Sequence, residues 1–166
     1  MFKDDVQLAI IGEFAVWGAL MDFKGIKTVF DVRKDKTFQE WDVDFLVMDS
    51  NQQISWVEVK TDWVTHKTGN IFYEFESFGK VGCLEKTKAN VIAYFVPQSG
   101  NIYLLDTKAL RRCVHTYNYP VKTLENSKGY LVPIGDLERF SVQIRRIETT
   151  PLAIERKTTD EYTRDM

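Results

Sequence analysis

The chain has 166 residues, 44% of them hydrophobic and 13% aromatic, with a formal net charge of -2. That length supports one domain with a real core and is short for two, and the composition excludes an intrinsically disordered chain. The charge excludes the strong overall basic footprint of many nucleic-acid binders, leaving only local basic patches among the 22 Lys and Arg.

In chain order, Val6, Ile10, Phe14, Trp17 and Met21 recur every three or four positions, which predicts a helix from Lys3 to Phe23. Asp4 or Asp5 is expected to cap its start, and Gly25 to end it. Gly12 and Gly18 each cost a helix interior about 1 kcal/mol against Ala, so they point to close approach by another element. The stretch is interrupted by Glu13 and preceded by acids. It is therefore read neither as a signal peptide nor as a membrane span, and a soluble cytoplasmic protein is expected (host cytoplasm for a viral chain).

"GIKTVFDVRK" reads as a strand and "KDKTFQE" as a polar link. "WDVDFLVMD" and "ISWVEVKT" are expected as antiparallel strands joined by "SNQQ". "HKTGNIFYEFESFG" reads as a loop followed by an extended segment with Phe72, Glu74 and Glu76 on one parity. "GCLEKTKA" is a loop or short helix, "NVIAYFVP" a buried strand ending at Pro97, and "NIYLLD" its hairpin partner. "TKALRRCVHTY" reads as a helix capped by Thr107, and "GYLVPIGDLERFS" as a short strand and helix. The pattern predicts a single mixed α/β domain over residues 1–147 and a C-terminal tail over 148–166. Cys83 and Cys113 show no CxxC spacing and are expected as free thiols, and His66 and His115 form no zinc-ligand spacing with them.

The hairpin holds the unusual chemistry. Alternation puts Val57 and Val59 on one face and Glu58 and Lys60 on the other. Trp41, Val43, Phe45 and Val47 share a face, with Asp42 and Asp44 opposite. If both apolar sets face the core, Asp44, Glu58 and Lys60 converge within cross-strand reach. Close carboxylates gain proton affinity unless a cation separates them, and a hard divalent ion with oxygen ligands resolves that conflict. A neighbouring ammonium suits charge developing on a phosphate or a metal-activated water. A cross-strand salt bridge on an open sheet face is the competing reading.

Asp44 followed by "FLVM", then Glu58-Val59-Lys60 on the next strand, resembles the PD-(D/E)xK nuclease superfamily, in its Holliday-junction-resolvase-like or phage-type branch. The helix carrying Glu13 ahead of the first strand adds to the resemblance, which covers about residues 6 to 62 and, more loosely, "TKANVIAYFV". Val43 stands where the motif name has Pro. The resemblance implies a restriction-endonuclease-like mixed sheet flanked by helices. It implies Asp44 and Glu58 as metal ligands with the Val59 carbonyl, Lys60 orienting or activating water, and Glu13 supporting the metal. Asp42 is an alternative to Asp44, which is favoured by the apolar run after it. Mg²⁺ or Mn²⁺ is the implied cofactor.

Glu74 or Glu76 is a candidate extra ligand. Lys80, Lys86 and Lys88 are candidate phosphate contacts, and Tyr73 or Phe78 candidate base-stacking residues. Arg111-Arg112 and Arg145-Arg146 are weaker backbone contacts. The expectation is a metal-dependent nuclease, endo- or exonucleolytic, acting on DNA, with RNA as an alternative substrate and a homodimer as a partner state. The alternative is a non-catalytic nucleic-acid-binding or assembly protein on the same fold.

Overall fold

The computed structural model describes residues 2–139 and 144–151. Helix α1 (Phe2–Asp22) fills the predicted span. It starts ahead of Asp4 and Asp5, so the expected cap by either residue is corrected: both lie in its first turn. β1 (Ile26–Asp31) follows. The segment read as a polar link contains a short helix, α2 (Lys36–Glu40). The Asp35 carboxylate accepts the Thr37 and Phe38 N–H groups, satisfying donors that the first turn cannot.

β2 (Phe45–Asp49) is shorter than the stretch that suggests it. Asp42 has a φ of +49°, in the left-handed region that aspartate tolerates better than most residues. That turn interrupts the expected alternation, and pairing starts at Phe45. β3 (Ile54–Thr61) runs antiparallel to β2, with Phe45 opposite Val57 and Met48 opposite Ile54.

A one-turn helix, α3 (Thr65–Thr68), leads into β4 (Asn70–Ser77), β5 (Lys80–Val81) and α4 (Cys83–Lys86). β6 (Val91–Val96) then pairs parallel with β3, and β7 (Asn101–Asp106) returns antiparallel, as the sequence predicts. The cap of α5 (Thr107–Thr116) is Asp106, one residue before the expected Thr107: its carboxylate accepts the Ala109 N–H at 2.6 Å. β8 (Val121–Thr123), β9 (Ser127–Pro133), α6 (Ile134–Arg139) and β10 (Ile144–Glu148) complete the chain. The expected tail boundary falls inside β10, and residues 152–166 of that tail lie outside the described residues.

The strands form two sheets. One is mixed, in the order β1-β2-β3-β6-β7-β10. The other is antiparallel, in the order β5-β4-β9-β8. The class is mixed α/β, with helices flanking the sheets. On one face of the mixed sheet, Val16 and Leu20 of α1 pack with Phe45, Val57, Val59, Ala93 and Phe95. On the other, Ile92 and Tyr94 meet Leu110 and Val114 of α5, and Ile71, Tyr73 and Val132 of the second sheet. β6 is therefore covered on both faces, which is why it reads as a continuous apolar run rather than an alternating one. Each large side chain it buries contributes about 1.5–3 kcal/mol.

Gly12 shows how tightly α1 sits: a Cβ built there would lie 1.9 Å from Thr61 Oγ1. Its cost in helix propensity accompanies direct contact between α1 and the end of β3. No described helix is long and apolar enough to cross a membrane.

Candidate functional site

Asp44 lies just before the paired part of β2, which starts with Phe45 opposite Val57. The backbone holds it there, because the Asp44 N–H donates to the Val57 carbonyl at 2.8 Å, which sets Asp44 beside Val57 and next to Glu58. The Asp44 side chain is fixed too: its Oδ2 accepts the Val59 N–H at 2.8 Å. Lys60 lies two residues along β3, and its Nζ is 2.7 Å from Glu58 Oε1. Asp44, Glu58, Val59 and Lys60 line one cavity of about 470 Å³, closed on the α1 side by Leu8, Ala9 and Glu13.

Burial dominates the electrostatics. Glu58 is only 6% exposed. Desolvation pushes its carboxyl up to about 8, with Lys60 opposing and Asp44 reinforcing the shift. Asp44 is raised as well, by burial first, against the bond from the Val59 N–H and with repulsion from Glu13. Burial also works against the charge on Lys60, but the Glu58 carboxylate and the Cys83 side chain outweigh it and hold the ammonium above its ordinary range. Two dehydrated acids thus share a cavity with one firmly charged cation.

Glu13 joins the cavity but is not free. Arg33 Nη1 lies 2.7 Å from its Oε2, while Nη2 and Nε of the same guanidinium hold Asp31 at 2.6 and 2.9 Å. The guanidinium carbon also stands 4.9 Å from the Phe14 ring centroid and 5.2 Å from that of Phe45. Arg33 was not singled out in the sequence. Its signal is weak: an arginine two residues beyond an aspartate at a strand end.

Asp42 is separated from Asp44. It does not line the cavity, and Lys86 Nζ pairs with its Oδ2 at 3.1 Å. The left-handed turn at Asp42 breaks the parity that made the two aspartates equivalent in sequence. Thr87 Oγ1 donates to the Asp42 carbonyl at 2.6 Å, and the Lys88 N–H to the Trp41 carbonyl at 2.9 Å. The link before β6 therefore clips the segment that delivers Asp44.

Glu74 and Glu76 diverge because β4 has a register irregularity between them. Glu76 pairs with Lys128 at 2.8 Å. Glu74 accepts from the Cys83 thiol at 3.4 Å and lines a second cavity of about 480 Å³ between the sheets. That cavity shares Lys60, Thr61 and Trp63 with the first, and Phe72, Leu84 and Leu131 form much of its wall. Burial pushes the Cys83 thiol up to about 11, so it is a neutral neighbour of Lys60 rather than a nucleophile. Tyr94 closes the base of this second cavity. Its hydroxyl donates to Asp62 and accepts the Phe72 N–H at 2.9 Å. Asp62 in turn accepts the Val64 N–H at 2.6 Å, pinning the turn after β3.

Among the outer candidates, Tyr73 is corrected. It is fully buried, with its hydroxyl directed at the Leu84 carbonyl, and cannot stack on a base. Phe78 is 63% exposed and free to do so. Lys80 and Lys88 are exposed, and Lys88 Nζ sits 4.5 Å from the Trp41 ring centroid, where Trp41 stacks on Trp56. Arg111 is committed to the Leu84 and Thr87 carbonyls at 2.9 and 2.8 Å. Arg146 Nε binds Asn101 Oδ1 at 2.8 Å, and the Arg145 side chain lies outside the described residues. Cys83 and Cys113 are free thiols.

The donor set suits a hard cation. Asp44 and Glu58 offer carboxylate oxygens that burial leaves short of solvation, and a small divalent ion commonly takes one or two carboxylates and keeps its waters. Among the described residues no cluster of three or more His, Cys, Asp or Glu side chains is arranged to hold a metal by itself. Comparison of the chain with protein-family models, curated proteins and solved structures returns no match.

Proposed function

We propose that the protein is a metal-dependent nuclease that hydrolyses phosphodiester bonds in DNA on a restriction-endonuclease-like core. The observation that carries this reading is the convergence of Asp44, Glu58 and Lys60 in one cavity, with the Asp44 carboxylate accepting the Val59 N–H between Glu58 and Lys60. Asp44, Glu58 and the Val59 carbonyl would hold Mg²⁺ or Mn²⁺, with Glu13 behind them. Bound there, the ion would supply a water of lowered pKa and neutralise charge on the phosphoryl oxygens.

The chain's own residues do the rest. Lys60 is held against Glu58, and it offers N–H donors to the attacking water or to a non-bridging oxygen. Asp44 is held in one orientation by the Val59 N–H, so no reorientation is needed when substrate arrives. Arg33 pairs with Glu13 and restrains it at the cavity wall. Outside the cavity, Lys86, Lys88 and the stacked Trp41–Trp56 pair flank the turn that leads into Asp44, and they suit a nucleic-acid backbone and its bases.

The Glu58–Lys60 ion pair also suits a second reading, a non-catalytic nucleic-acid-binding or assembly protein in which the pair serves only structure. One assay separates the two. Plasmid, single-stranded, branched and RNA substrates are incubated with the wild type, Asp44→Ala and Lys60→Ala, in Mg²⁺, Mn²⁺ or EDTA. The nuclease reading expects cleavage that needs the metal and falls by at least about 100-fold in each variant. Binding with no cleavage under any condition supports the second reading instead.

A further inference from the structure

The proposed reaction leaves the second cavity, about 480 Å³ between the sheets, unused. That cavity is not a separate compartment. Lys60, Thr61 and Trp63 belong both to its wall and to that of the carboxylate cavity. Lys60 stands where the two meet, with its Nζ 2.7 Å from Glu58 Oε1. The volume falls in the range of sites that hold small organic groups, about 300–1,000 Å³. Val64 and Leu124, 54 and 47% exposed, give its rim an apolar character.

The face that the antiparallel sheet turns to this cavity is built around a missing side chain. Gly129 of β9 stands opposite Glu74 of β4 and Lys122 of β8. A Cβ on Gly129 would lie 2.5 Å from Phe72 Cε2 and 2.6 Å from Phe72 Cζ. The Phe72 ring therefore occupies the space that a side chain would take. The ring is half-buried, and it shares the cavity wall with Leu131, its cross-strand neighbour. Glu74 lies two residues along β4, on the same parity.

Two carboxylates line the cavity, and they differ in what they have left to give. Asp62 is committed to the Tyr94 hydroxyl and to the N–H groups of Val64 and Thr65. Glu74 accepts the Cys83 thiol at 3.4 Å, a weak donor. An ionised carboxylate has about four lone-pair sites, so Glu74 keeps acceptor capacity.

An accessible aromatic ring, an apolar surround and an acceptor group together suit a nucleobase that has left its stack. A wholly apolar ligand would dehydrate Glu74 without giving it a partner. Guanine matches a carboxylate best, because its N1–H and its exocyclic amine are adjacent donors on one edge. Adenine and cytosine set an acceptor beside their amine, which the carboxylate would repel. Continuity with the first cavity supplies the rest: a base seated here carries its own phosphate toward Lys60. Lys122, exposed at the rim, suits a further phosphate of the strand.

We propose that the second cavity binds one unpaired base of the substrate strand, stacked on Phe72 with the donor edge of guanine on Glu74, and so places the adjoining phosphate at Lys60. The inference rests on the nuclease reading for its substrate and narrows the class. The preferred substrate carries an unpaired or extruded guanine beside the scissile bond.

The test separates binding from cleavage. Binding to the full chain is measured in EDTA by fluorescence anisotropy, with short labelled abasic DNA strands that carry one central guanine, one central adenine or no base. Guanine should bind at least about tenfold more tightly than no base, and about tenfold more tightly than adenine. Glu74→Gln should lose the preference for guanine over adenine. Phe72→Ala, and Leu131→Trp by filling the cavity, should lose the preference for a base over none. Melting curves check folding, and Glu74→Gln keeps the shape and the acceptor for Cys83 if Phe72→Ala does not fold. In Mg²⁺, wild type should cleave a duplex with one unpaired guanine in preference to the fully paired duplex. Leu131→Trp should lose that preference mainly through KM. Base-dependent binding that follows these variants supports the cavity even where no metal gives cleavage, and then only the nuclease reading fails. Metal-dependent cleavage by a protein that binds the three strands equally overturns the cavity and leaves the nuclease reading standing. Equal affinity for guanine and adenine overturns the role of Glu74, and a base preference that survives Leu131→Trp overturns the location.

Discussion

Replacing Glu58 with Gln preserves shape and removes a carboxyl that burial makes reluctant to ionise. Glu58 is 6% exposed, and its carboxyl is raised from 4.5 to about 8 by desolvation, with Lys60 opposing and Asp44 adding to the shift. The folded pKa lies above the unfolded one, so the stability this group contributes is fully present below about pH 4.5 and is lost as pH rises through about 8. At about 1.4 kcal/mol per pKa unit, the loss across that window is on the order of 5 kcal/mol. In Glu58→Gln the contribution to the slope disappears. Urea unfolding in EDTA from pH 5 to pH 9 should therefore show near-equal stability at the acid end and a variant more stable than wild type at the alkaline end. Adding Mg²⁺ at pH 8 should raise the wild-type midpoint, by preferential binding to the folded state, and leave that of Glu58→Gln in place. Parallel pH–stability curves for the two proteins would refute the reasoning, because the penalty would then not reside at Glu58.

Gly12→Ala should lower stability by about 1–3 kcal/mol, since the new methyl group strikes Thr61 Oγ1 and α1 must shift outward. Thr61→Ala combined with it should restore part of the loss, so that a double-mutant cycle in thermal unfolding is non-additive; strictly additive effects would show that the contact is not tight. Asp42→Asn should cost less than about 1 kcal/mol, because its Lys86 partner is half exposed. It should keep metal-dependent cleavage near the wild-type rate, measured beside Asp44→Asn, which should lose it. Equal loss in the two variants would mean that Asp42 also serves the site.

The strand assignments show how far sequence reaches. β3 covers the predicted "ISWVEVKT", and β6 and β7 form the predicted hairpin. These elements are long or strongly apolar, and local pattern and burial agree there. Placement failed where the signal lies in a single backbone angle or a remote contact. Left-handed Asp42 shortened β2, Asp35 nucleated α2 in a segment read as a link, and the irregularity in β4 sent Glu74 and Glu76 to different partners. Tyr73 offered nothing in sequence to separate a surface aromatic from one at the junction of two sheets.

For the site, period-two alternation and a short hairpin sufficed to bring Asp44, Glu58 and Lys60 together, because a strand register fixes side chains across only a few ångströms. The choice of Asp44 over Asp42 for the cavity, the tethering of Glu13 by Arg33, and the neutral Cys83 beside Lys60 came from tertiary packing of elements distant in sequence. The direction in which α1 turns its apolar stripe was also decided there. Periodicity states that one face of a helix is apolar. Which face meets the sheet depends on what the sheet offers, and here the end of β3 takes the Gly12 side and leaves the larger side chains outside.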